Sequence, residues 1–232
     1  MNPVESSTIA SRLATARARV RDAAQAARRA ESDVTLIAVS KTHPLAAVEE
    51  ALATGQRVFG ENRVQEAKAK FAALRPRFPD LSLHLIGPLQ TNKAEDAVRL
   101  FDVIHTLDRE RLAVALAVAM AKTGKRPRLL VEVNIGREPQ KAGIMPEDLG
   151  SFLESCRKTH GLTIEGLMAI PPQGEPPEPF FRALRDLAAE HNLAGLSMGM
   201  SADFEAAIRC GATCVRVGSV LFGARETSLH RT

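Results

Sequence analysis

The sequence predicts an α/β protein whose eight parallel strands close into a (β/α)8 TIM barrel, with one extra helix at the N-terminal end. Three observations carry that expectation. Short apolar runs alternate with helical stretches through most of the chain, eight such runs are present, and each is continuously apolar instead of alternating. Continuous runs suit parallel strands covered on both faces, and eight is the number that closes a barrel. A doubly wound open sheet is the competing arrangement; the count of eight and the lack of a Gly-x-Gly-x-x-Gly turn after the first run weigh against it. A chain of 232 residues, 45% hydrophobic and 25% charged, suits one domain over 1–232, with the helix at about 6–30 and the barrel at about 35–225.

The first element is read from Ile9, Leu13, Ala16, Val20, Ala23 and Ala27, which recur at three- and four-residue spacing and form one apolar stripe. Its arginines, Arg12, Arg17, Arg19, Arg21, Arg28 and Arg29, read as a solvated outer face, with an organelle transit peptide or a nucleic-acid face as the competing readings. Strands follow at 36–41, 57–60, 82–87, 103–106, 128–134, 163–170, 195–200 and 213–218. Helices are expected between them at 44–54, 62–74, 92–101, 109–123, 146–159, 178–191 and 203–209, most of them bounded by Pro, Gly, Asn or Asp. The Pro-rich stretch 171–177 reads as a stiff loop after the sixth strand, because the barrel is not complete until the eighth.

Composition narrows the function classes. The net charge is only +4, and neither Trp nor Tyr occurs, which removes most of the stacking surface of a single-strand binder. No run of eighteen apolar residues and no secretory leader is visible, so the expectation is a cytoplasmic protein that binds neither membrane nor nucleic acid. Cys156, Cys210 and Cys214 form no Cys-x-x-Cys pair and read as buried thiols, with no metal site expected.

In a barrel of this kind the chemistry belongs at the C-terminal ends of the strands. Polar and glycine residues collect there: Lys41, Glu61 and Asn62, Gly87, Asn134, Ser201, and Gly218 with Ser219. Lys41, which closes the apolar run 35–41, is either solvated at the rim or held in a pocket where desolvation makes it a nucleophile toward carbonyls. Gly199 with Ser201, and Gly218 with Ser219, stand after strands seven and eight, where barrel enzymes build a phosphate cup from close-approaching backbone and hydroxyl donors. Phosphate and aldehyde together specify a ligand such as pyridoxal 5′-phosphate. Arg216, on strand eight beside that cup, either faces the pyridine nitrogen or forms a salt bridge inside the barrel, and His84 in strand three faces the interior or the helix layer.

The segments 39–42 (VSKT), 59–66 (FGENRVQE), 84–93 (HLIGPLQTNK), Val133-Asn134 with Glu138, Lys141 and Gly143, 166–168 (GLM), 196–201 (LSMGMS), 215–219 (VRVGS) and 222–225 (FGAR) run in order through almost the whole chain. Together they resemble the pyridoxal phosphate homeostasis protein family. The resemblance implies a single-domain, alanine-racemase-like barrel of fold-type III that holds pyridoxal 5′-phosphate as a Schiff base on Lys41. It further implies that Asn62 lies beside the cofactor, that Ser201, Gly218 and Ser219 hold the phosphate, and that Arg216 faces the ring nitrogen. Ser219 stands where threonine is also common, which keeps the hydroxyl. The implied role is intracellular vitamin B6 homeostasis and, indirectly, amino-acid and keto-acid balance, without an established turnover, with PLP-dependent apoenzymes as possible recipients.

The rival within the same fold is an amino-acid racemase, which needs two acid/base groups flanking Cα. Lys41 serves one face; two-domain alanine racemases take the other from a tyrosine of a C-terminal domain, and this chain has no Tyr and too few residues after strand eight to build that domain. His84 could substitute in principle, but the expectation is a binding protein, not an enzyme, and a monomer. A phosphosugar enzyme with Lys41 as an aldolase-type nucleophile is the third class. Lys68, Lys70 and Lys93 read as a lysine-rich surface that would suit a second anionic ligand.

Overall fold

In a computed structural model that describes residues 8–223, eight parallel strands close into a barrel in sequence order, β1 pairing with β8. The strands are β1 (Thr35–Val39), β2 (Val58–Glu61), β3 (Ser82–Leu85), β4 (Val103–Leu107), β5 (Arg128–Glu132), β6 (Ile164–Met168), β7 (Gly195–Met200) and β8 (Cys214–Val217). The helices are α1 (Ile9–Ala26), α2 (Leu45–Ala53), α3 (Val64–Phe71), α4 (Ala94–Leu100), α5 (Glu110–Thr123), α6 (Leu149–Lys158), α7 (Glu178–Glu190), α8 (Phe204–Arg209) and α9 (Ser219–Phe222). Every expected element is present among the described residues. The expected helix start at residue 6 and barrel end at residue 225 lie outside them.

Several strands are shorter than their apolar runs, and the reason is local. Ile86 and Ile170 lie beyond the last paired residues of β3 and β6 and line a cavity at the barrel mouth, so their hydrophobicity serves the cavity wall and not the ladder. The extra helix also ends early, at Ala26. Arg28 takes a left-handed φ of 56°, and Arg29 turns back to donate to the Ile208 and Ala212 carbonyls at 3.0 and 2.8 Å.

Two apolar layers alternate along each strand. Ala38, Phe59, Leu83, Ile104, Val131, Leu167, Met198 and Val215 face outward into one continuous core shared with the helices. Phe59 meets Phe71 of α3 there, with ring centroids 5.6 Å apart. Ile37, Val39, Val103, Leu130 and Met168 are buried on the inner side. The α1 stripe is buried as expected at Ile9, Leu13, Ala16, Val20 and Ala23, with Ala24 added and Ala27 only half-buried. Its arginines are less solvated than a free outer face would be. Arg17 donates to the Thr54 carbonyl and Gln56, and Arg19 forms a two-bonded pair with Glu205 at 2.7 and 2.9 Å while stacking over Phe204. These flanking arginines tie α1 to the barrel, so a nucleic-acid face would have to compete with contacts already made.

His84 faces the barrel interior. Its Nδ1 lies 2.9 Å from His105 Nε2 on β4 and its Nε2 lies 3.1 Å from Ser82 Oγ. Burial dominates both rings: it brings His84 down to about 4 and His105 well below the usual histidine range, so both are neutral at pH 7. The three cysteines are unbridged, Cys156 and Cys210 buried and Cys214 half-buried, and burial pushes the Cys156 thiol up to about 12.

Because the folded-state values of the two histidines fall below the unfolded value of about 6.5, the unfolded chain binds more protons below that pH. Stability is therefore full above about pH 7 and is lost as pH falls from about 6.5 toward 4, by on the order of 3 kcal/mol for His84. Denaturant melts followed by circular dichroism across that window should show the loss, and His84→Gln should flatten it.

Candidate functional site

At the C-terminal mouth of the barrel lies a cavity of about 460 Å³, and all six residues singled out from the sequence, Lys41, Asn62, Ser201, Arg216, Gly218 and Ser219, line it. A larger cleft of about 710 Å³ opens between α1 and α8, lined by already paired charges such as Arg19 and Glu205. Chemistry, not size, selects the mouth.

Lys41 follows β1 by two residues and is half-buried on the cavity wall. The turn that carries it is tightly held from the helix side. Ser40 Oγ donates to Glu61 Oε1 at 2.7 Å, and the Thr42 N–H donates to Glu66. Lys70 of α3 donates to the Ser40 carbonyl at 2.7 Å and pairs with Glu61 and Glu66 at 2.5 and 3.0 Å. Burial pushes the Glu61 carboxyl above the usual range against the pull of Lys70 and Ser40; burial also pushes Glu66 up, but Lys70 and the Thr42 N–H outweigh it and hold Glu66 below.

This network corrects the lysine-rich surface read from the sequence. Lys70 is only 7% exposed and turned inward, whereas Lys68 is exposed and Lys93 half-buried beside a separate groove. The Glu66/Lys70 spacing of four residues looks like an ordinary exposed helix pair, which is why sequence alone missed it. Glu61 stood in the right loop, but nothing in its neighbours identified its partner.

Asn62 reaches the mouth because residue 87 is glycine. A Cβ at Gly87 would fall 2.5 Å from the Asn62 carbonyl oxygen and 2.6 Å from its Cα. The Asn62 side-chain Oδ1 is buried and has no hydrogen-bond partner among the described residues, an acceptor that awaits a donor.

Arg216 projects inward from β8 and is 4% exposed. Its Nη1 donates to the Ser197 carbonyl and hydroxyl, both at 2.7 Å, and its Nη2 to the Ala169 carbonyl at 3.0 Å. No carboxylate forms an ion pair with it among the described residues, so the salt-bridge reading of Arg216 is not what the barrel contains. Burial lowers it to about 10, which leaves a cation at neutral pH. Glu132, at the inner end of β5, is pushed up to about 7 by burial and by Asp108, with Arg216 opposing. Glu132 is not singled out by the sequence: it lies inside the expected strand 128–134, whose polar end is read at Asn134, whereas β5 ends at Glu132.

The two glycine-serine loops meet. The Gly218 N–H donates to Ser201 Oγ at 3.2 Å, so that oxygen accepts a bond and its proton is available to a ligand. Gly199 has φ +89°, and a Cβ there would meet Ala207 Cβ at 2.5 Å, so only glycine lets the chain turn from β7 onto α8 at this spacing. Asp203 then accepts the Met200 N–H at 2.6 Å and fixes the turn that holds Ser201. Ser219 opens α9, which is steadied by Phe222 stacking on His43 at 5.0 Å. The mouth thus combines a primary amine, a buried guanidinium, two hydroxyls and an unused amide acceptor. That set suits an anionic, carbonyl-bearing ring compound.

Comparison with known proteins follows the same lines. The alanine racemase N-terminal domain family matches residues 12–226. The pyridoxal phosphate homeostasis protein of Pseudomonas aeruginosa is 46% identical over 226 residues, 95% of this chain and 97% of that one; its Aquifex aeolicus counterpart is 42% identical over 224 residues, 93% and 97% of the two chains. The solved structure of PipY of Synechococcus elongatus with PLP bound is 43% identical, covers 93% of this chain and 100% of that one, and has a TM-score of 0.82. Alanine racemase of Clostridium difficile, 16% identical over 94% of this chain and 58% of that one with a TM-score of 0.67, shares the fold alone.

Gly87→Ala should cost about 1–3 kcal/mol by forcing the Asn62 backbone aside. Denaturant unfolding checks this; a midpoint unchanged from wild type would show that the β2–β3 loops have room to give.

Proposed function

The chain belongs to the pyridoxal phosphate homeostasis protein family, and from that premise we propose that it binds pyridoxal 5′-phosphate at the barrel mouth and takes part in vitamin B6 homeostasis and, indirectly, in amino-acid and keto-acid balance. The observation that carries the reading is the convergence on one cavity of Lys41 from β1 and Arg216 from the adjoining β8, with Ser201, Gly218 and Ser219 beside them. The residues fit such a group. Asn62 Oδ1 lacks a partner among the described residues, Ser201 keeps a donor, and the Lys41 amine and the Arg216 cation share the cavity that would take an anion carrying an aldehyde.

When bound, the cofactor supplies an aldehyde that a primary amine converts to a C=N bond with loss of one water. Lys41 is the amine of this site and the anchor of the ligand. Ser201, Ser219 and the Gly218 backbone hold the phosphate, and Asn62 flanks the ring. Arg216 is assigned to the ring nitrogen; a guanidinium that stays charged at neutral pH opposes protonation there and weakens the ring as an electron sink.

This chemistry favours holding and handing over the cofactor above turning over a substrate. Racemisation needs a second acid/base group. The chain contains no Tyr, and His84 does not line the cavity and has both ring nitrogens engaged. The reading extends to a single-domain monomer whose recipients are PLP-dependent apoenzymes.

Purified protein incubated with pyridoxal 5′-phosphate should show a C=N absorption band, and borohydride reduction should leave an adduct that peptide mapping assigns to Lys41. Lys41→Ala should abolish that adduct. Ser201→Ala and Ser219→Ala should each weaken cofactor affinity by about tenfold, the loss of one charge-assisted hydrogen bond. An adduct that persists in Lys41→Ala, or a cellular free-cofactor level that this variant leaves unchanged, would sink the reading.

A further inference from the structure

Lys70 carries a consequence beyond packing. Replacing a buried ion pair with well-packed apolar groups is often neutral or stabilising, so fold stability alone is a weak reason for an ammonium here. Its contacts are more specific. Lys70 Nζ donates to the Ser40 carbonyl at 2.7 Å and reaches the His43 carbonyl at 3.4 Å. Its two carboxylate partners hold the same turn: Glu61 Oε1 accepts from Ser40 Oγ at 2.7 Å, and Glu66 Oε1 accepts from the Thr42 N–H. The residues on both sides of Lys41, and the one after Thr42, are thus tied directly or through one carboxylate to a single ammonium.

The turn needs such ties. Thr42 has φ 65°, a left-handed conformation that is unfavourable for a β-branched residue. Without the ties the turn would relax, and the Cα of Lys41 would move with it. The clamp lies on the helix side of the strand ends, opposite the cavity: Ser40 and Glu61 alternate with the cavity-lining Val39, Lys41 and Asn62.

From this arrangement we infer that Lys70 is a positioning residue for Lys41: with Glu61 and Glu66 it sets the course of residues 40–43, and so the direction from which the Lys41 amine meets an aldehyde in the cavity. The inference rests on the functional reading above. The covalent step itself belongs to Lys41, whose nitrogen adds to the aldehyde carbon as C=N replaces C=O and one water leaves; Lys70 forms and breaks no bond.

The test compares two ligands that differ only in the aldehyde. Pyridoxal 5′-phosphate and 4′-deoxypyridoxine 5′-phosphate share ring and phosphate, but only the first bonds to Lys41. In full-length Lys70→Met, affinity for the deoxy compound should stay within about twofold of wild type, while affinity for pyridoxal 5′-phosphate falls by about tenfold or more. Borohydride trapping at Lys41 should slow accordingly, and Lys70→Arg should restore part of it. Should the single variant fold poorly, Glu61→Gln with Lys70→Met removes the stranded carboxylate and should show the same split. Equal weakening of both ligands, or no change in either, overturns the inference. Wild-type protein that gives no Lys41 adduct at all would instead overturn the functional reading, and the two failures are distinct.

Discussion

The pairing of β1 with β8 is the constraint on which the site depends. Leu36, Ile37 and Ala38 lie in register with Val215, Arg216 and Val217, and that closure brings the amine near the start of the fold beside the guanidinium and glycine-serine loop at its end. An open sheet of the same strands would leave Lys41 and Arg216 on distant edges. The loop-closure entropy of joining such remote segments is offset by the continuous outer core, to which each of the eight strands contributes.

Closure also encloses polar groups that must be satisfied from within. A buried cation costs several kcal/mol in lost hydration. The three hydrogen bonds that Arg216 donates to Ser197 and Ala169, at about 1.5–3 kcal/mol each for a charged donor, are enough to hold it. His84 and His105 meet the same problem differently, staying neutral and bonding to each other and to Ser82. Lys70 solves it with two carboxylates. One barrel thus contains three ways of burying a basic group, and two of them bear directly on the mouth.

Arg216 keeps its charge and its place through bonds to Ser197 of β7 and to Ala169 just after β6, and it shares the cavity wall with Lys41. The His84 imidazole is committed to the interior, whereas His43 lines the cavity and stacks on Phe222. The amine, the cation and the two hydroxyls therefore face one cavity.

The eight apolar runs determined the barrel by themselves, because continuous hydrophobicity and a helical segment after each run leave few other ways to bury both strand faces. Strand-end position brought Lys41, Ser201, Arg216, Gly218 and Ser219 into view, since strand ends in a barrel share one mouth, whereas Asn62 is singled out from its neighbours there by the family resemblance. Only the tertiary structure decided which partner each polar side chain takes. Arg216 turned to backbone carbonyls instead of a carboxylate, and Lys70, spaced from Glu66 like a solvated helix pair, turned inward to Glu61. Hydrophobic periodicity is a property of neighbours along the chain, whereas the partner of a buried charge is set by groups that the fold brings in from elsewhere, and no spacing along the sequence encodes that distance.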